Sequence, residues 1–137
     1  STGKGFVTGM GLKKGALAAS VAHDSHNLIV VGADDRDMKA ALTAVVGMGG
    51  GFAVVCDGSV RGQLPLPIAG LMSDLPVRMV RDQLDRLIRA AKDLGSHLSD
   101  PFMTLGFLAL PVIPSLKITD KGVVDVETFE IVSLFAD

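Results

Sequence analysis

The chain has no tryptophan, no tyrosine, a single cysteine and only three histidines among its 137 residues. Without Trp and Tyr it has few side chains suited to stacking a flat base, although six Phe remain. Cys56 alone cannot form an internal disulfide framework, so a reducing, cytoplasmic setting is expected. A surplus of one charge is also missing. The formal net charge is -2, without the basic excess typical of nucleic-acid binders, so no nucleic-acid partner is expected. No apolar run approaches the roughly 20 residues needed to cross a bilayer, so no membrane partner is expected. No signal peptide is expected. The first residue is Ser1 and not Met, which suggests a fragment of a longer polypeptide.

What is present is apolar and globular in character. Apolar residues make up 48% of the chain, enough for a substantial core at a length that suits one domain. Residues 5–22 read as two strands joined by a glycine-rich turn, and residues 28–33 as a short buried strand. Asp34 is placed to cap a helix with Asp35 and Asp37 in its first turn, where the helix dipole favours negative charge. Met38, Ala41, Leu42, Val45 and Val46 fall on one face of that helix, and the glycines from 47 to 51 end it. Residues 52–56 form the next strand, and Asp57-Gly58 is a tight-turn signal returning it as a hairpin. The strand–helix–strand unit from 28 to 56 predicts a right-handed parallel crossover.

Pro65 and Pro67 stiffen a connector over 64–74. A second helix is predicted over 75–94, with Asp74 as its cap, Pro76 in its first turn and Gly95 at its end. Val77, Val80, Leu84, Leu87, Ile88 and Ala91 form its buried stripe. Asp82 with Arg86 and Asp85 with Arg89 are spaced as i,i+4 ion pairs on a solvated face. Residues 101–114 are apolar and interrupted by proline, and either pair as core strands or pack on another domain or subunit. Their conformation is left open. The last stretch, 123–135, carries strand-type residues. The expected fold is a single α/β (α+β) domain over 1–137, with two main helices packed on a mixed β-sheet.

The densest polar cluster is His23, Asp24, Ser25, His26 and Asn27, between two apolar strands. These residue types support three readings. Two His and an Asp are proper metal ligands, but a structural zinc site wants four and only His97 remains as another His. A polar turn facing a site on another domain would use the same groups to orient or donate hydrogen bonds. The plain alternative is a turn satisfied by its own backbone, since Asp24, Ser25 and Asn27 readily bond nearby amides. A Ser25 hydrolase triad is rejected, because triad members come from distant segments and no G-x-S-x-G elbow is present. The glycine clusters at 9–15 and 47–51 do not precede a helix as phosphate loops do and read as turns. Cys56 reads as a core residue.

Several long segments in order, SVAHDSHNLIVVGADDRDM (20–38), GGGFAVV (49–55), LPLPIAGLMSD (64–74) and DPFMTLGFLALPVIPSLKITDKGVVDV (100–126), resemble the adenine deaminase C-terminal domain. The resemblance covers essentially the whole chain and is weakest over 75–95. It implies a parent enzyme of the amidohydrolase superfamily that hydrolyses adenine to hypoxanthine and ammonia in purine salvage. A manganese or iron centre in an upstream barrel would activate the water. That barrel's HxH pair is absent here, since no two of His23, His26 and His97 are one residue apart. No catalytic, metal or cofactor-binding residue is therefore assigned to this chain, and it is expected to be inactive alone. Its expected partners are the upstream barrel of the same polypeptide and further copies in a homo-oligomer. Three roles follow: completing the barrel's active site through 23–27, a structural or oligomerisation module using 101–114, or a free-standing enzyme or binding protein.

Overall fold

A computed structural model describes residues 1–135. Its centre is β1 (Ala16–Ala19), whose four residues are all fully buried. A strand covered on both faces loses the usual polar alternation and reads as a continuous apolar run. Here the run is mostly alanine, which lets helices approach closely from both sides. β1 pairs antiparallel with β2 (Ile29–Gly32) on one edge and with β3 (Gly51–Cys56) on the other. β3 continues antiparallel into β4 (Ser59–Pro65), giving the order β2-β1-β3-β4.

Helix α1 (Asp35–Gly47) connects β2 to β3 and covers one face of this sheet. Ala41 and Val45 pack there on Ala16, Ala18, Ala53 and Val55. The opposite face carries Leu17, Ala19, Val54 and Leu64. It is covered by Leu87 and Ala91 of α2 (Val77–Asp93) and by Phe102 and Leu105 of α3 (Pro101–Phe107). The Phe52 and Phe102 rings meet with centroids 5.0 Å apart. The result is three layers, helix on sheet on helices. A second sheet of β5 (Leu116–Thr119), β6 (Gly122–Asp125) and β7 (Glu130–Val132) follows, again antiparallel.

The α+β class holds, with several corrections to the pairing. The sheet is antiparallel throughout and not mixed, and there are two sheets and a third, shorter helix. β2 and β3 do run parallel to each other, as the crossover reading required, but β1 lies between them and pairs with both. That same arrangement removes the first expected strand. Both edges of β1 are occupied, so residues 5–10 have no edge to join and form no strand.

Asp34 caps α1 as expected, its carboxylate accepting the Asp37 amide at 2.8 Å. Val46, assigned to the buried face, is instead exposed. Asp74 does not cap α2. Pro76 occupies the cap position without a side-chain hydrogen bond, since its ring carries no hydrogen-bonding group. Val77, the first residue of the helix, is 82% exposed. On the outer face the ion pair formed is Arg81 with Asp85, at 3.0 Å, instead of Asp82 with Arg86 or Asp85 with Arg89. Arg89 turns to the Asp85 carbonyl. Residues 101–107, left open by the sequence, are helical: Asp100 caps them by accepting the Met103 amide, and Pro101 takes the first turn.

Candidate functional site

The two ends of the main sheet differ in chemistry. At one end Asp57 and Gly58 close the β3–β4 hairpin with positive φ, 55° and 71°. That twist suits a two-residue turn between antiparallel strands. The buried Asp37 carboxylate of α1 accepts both turn amides, from Asp57 at 3.0 Å and from Gly58 at 2.7 Å. Cys56 lies beside this turn in the core. Burial, then its hydrogen bond to Asp57 and that residue's charge, push its thiol upward in pKa, so it stays protonated and unreactive. It is a core residue, as expected.

At the other end β1 leaves the sheet, turns through 23–26 and returns as β2. The backbone closes this turn, the His26 amide bonding the Ala22 carbonyl at 2.6 Å. His23, Asp24, Ser25, His26 and Asn27 are all exposed. The two imidazole rings converge edge to face, with centroids 5.2 Å apart. Among the described residues, the one side-chain hydrogen bond within the cluster joins Asn27 to Ser25 at 3.4 Å. The side chains of Asp24, Ser25 and Asn27 therefore do not satisfy local amides. His97 is exposed and lies outside this turn, and among the described residues no three His, Cys, Asp or Glu side chains gather into a group able to hold a metal ion.

Two further loops meet the turn's base. Ser20, nearly buried, accepts the Gly51 amide at 2.8 Å and donates to the Gly70 carbonyl at 2.6 Å. This hydroxyl joins the end of β1, the start of β3 and the 66–72 loop. Gly50 makes that junction possible. Its φ is 116°, and a Cβ there would collide with the Gly70 Cα. From below, Gly106 of α3 lies against the Val21 carbonyl. The turn thus stands on a fixed base, followed in the chain by half-exposed Leu28. The sequence had suggested neither Ser20 nor Asp37 as a fastening point. Their one visible signal was a polar residue within or beside an apolar strand or helix face.

The chain matches the family model "Adenine deaminase C-terminal domain" over residues 1–130. The chain belongs to that family. It is 66% identical to an adenine deaminase of Desulfatibacillum aliphaticivorans over 97% of its length, and 58% identical to one of Methylobacterium nodulans over 91%. It is also 56% identical to "Adenine deaminase 2" of Carboxydothermus hydrogenoformans over 96%. It spans only 22–23% of the length of each of these relatives. In the adenine deaminase family this region therefore sits with a longer N-terminal region. Ser20, Gly51 and Gly70, one from each of the family-like segments 20–38, 49–55 and 64–74, are joined at the base of the His23–His26 turn.

Proposed function

We propose that this chain is the C-terminal domain of an enzyme hydrolysing adenine to hypoxanthine and ammonia in cytoplasmic purine salvage. In that reading the 23–27 turn faces the active-site mouth of the upstream region. The observation carrying it is the turn itself: two converging imidazoles and an Asp, exposed, unused by the local fold and held on a rigid base. The residues present do not fit a manganese or iron cage, because His23, Asp24 and His26 do not gather into a group able to hold a metal ion among the described residues. The metal would belong to the upstream barrel. What the turn contributes is hydrogen bonding and water exclusion at the rim, with His23 and His26 orienting groups held by the barrel.

Alanine substitutions at His23 and His26 in the full-length enzyme test this. Ammonia release from adenine should fall, while stability stays within about 0.5 kcal/mol because both side chains are exposed. If both variants keep kcat and kcat/KM within about twofold of wild type, the turn has no part in the site. The 137-residue chain alone should release no ammonia.

A second reading is favoured by the last third of the chain, where Met103, Phe107, Val112 and Ile113 remain 40–63% exposed. These side chains suit packing against the barrel or a second subunit. Light scattering of the full-length enzyme separates the two, since a strict monomer removes the subunit version.

A further inference from the structure

The small sheet is built unlike the main one. Among the described residues no helix packs on it as on the main sheet, and every residue of β5, β6 and β7 is at least partly exposed. Among the described residues β7 pairs only with β6, so its outer edge is open, whereas the outer edge of β5 is partly met by the Leu108 carbonyl, which accepts the Ile118 amide at 2.9 Å. Across it, Lys117, Val124 and Ile131 form one row, with Ile131 61% exposed at its end. Leu116 and Phe129 are also turned outward. Three strands of three or four residues, without a buried apolar face, are marginal on their own.

The start of the chain runs over this sheet. The Ser1 hydroxyl bonds the Asp120 carboxylate at 2.8 Å. Gly3 lies so close to the Thr119 carbonyl that no side chain would fit, and Gly5 lies against Ile118 and Val123. Phe6 then points away, 85% exposed. In the relatives, more than three quarters of the polypeptide lies outside the matched region. A preceding region tethered at Ser1 is held within a few residues of the sheet, at high effective concentration.

We propose that the β5–β7 sheet, with Phe6, is the seat of the enzyme region that precedes Ser1, and that this region completes the sheet's core. The inference rests on the chain being part of a longer adenine deaminase, but not on the role of the 23–27 turn.

The test uses the full-length enzyme, in a background without other accessible cysteines. Ile131→Cys and Phe129→Cys are compared with Val46→Cys, on the exposed side of α1. Maleimide should label the first two at least about tenfold more slowly in the native enzyme and equally fast in denaturant. Labelling as fast as at Val46→Cys overturns the proposal. So does protection that disappears on dilution together with an oligomer, since the cover would then be a second copy. Should the cysteine variants fail to fold, amide exchange in the unsubstituted enzyme decides. Residues 116–132 must exchange more than about tenfold slower than the 96–100 connector, and any smaller difference overturns the proposal. Neither readout depends on the turnover of the His23 and His26 variants, so the two ideas fail separately.

Discussion

The Asp37 carboxylate in the first turn of α1 accepts the Gly58 amide at 2.7 Å, fastening a helix to a hairpin turn 21 residues away. With the Asp57 amide on its other oxygen, this buried group satisfies two donors that the sheet leaves unpaired. Charge-assisted bonds of this kind are worth more than neutral ones.

Asp37→Ala should therefore cost about 1–3 kcal/mol, because it removes two charge-assisted bonds to partly buried turn amides. A urea midpoint within experimental error of wild type would show that the carboxylate is not a fastening point. Asp35→Ala, on the exposed side of the same turn, should shift stability by less than about 0.5 kcal/mol.

At the opposite end, Gly50→Ala should be more damaging than Ser20→Ala. The first forces a Cβ into the Gly70 backbone at a φ that disfavours side chains, for a loss of about 3 kcal/mol or more. The second removes one hydroxyl bridging Gly51 and Gly70, for about 1–3 kcal/mol. Thermal unfolding of the two variants gives the order, and the reverse order would contradict the contact described.

Cys56 supplies a pH dependence with a definite sign. The fold holds its thiol protonated, first through burial and then through Asp57. The unfolded thiol ionises from about pH 8.5. Above that point the unfolded chain binds fewer protons than the folded one, so stability falls as pH rises. Below it the contribution is fully present. Cys56→Ala should flatten this loss between neutral and alkaline pH, as read from urea midpoints. The native thiol should also resist alkylation until the chain is unfolded.

Leu87 and Val77 make a paired test on one helix. Leu87 is fully buried against the sheet, and Leu87→Ala should cost about 2–5 kcal/mol. Val77→Ala, at an 82% exposed position, should change stability by less than about 0.5 kcal/mol. Equal losses in chemical denaturation would mean that α2 buries a different face.

Much of the local structure was readable in residue order. Asp34, Asp57-Gly58 and Gly95 marked ends and turns because their chemistry acts within a few residues. The 3.6-residue period placed Ala41, Val45, Leu87 and Ala91 on buried faces. What escaped was decided at long range. Nothing near residues 5–10 reveals that β3 takes the edge of β1 they would need. Val77 fits the helical period yet is exposed at the first position of its helix. The cluster at 23–27 stood out by composition, but its base did not. Ser20, Gly50 and Gly70 meet only after some fifty residues of chain have folded back.

The main sheet is complete by Pro65, but its shelter is not. A chain still being synthesised and stopped near residue 74 would already own all four strands and the α1 cover. Leu17, Val54 and Leu64 would still face water, because α2 and α3 had not yet been made. Such a half-clad stage is sticky. Truncations that end before Phe107 should therefore accumulate as aggregates and not as a smaller stable core.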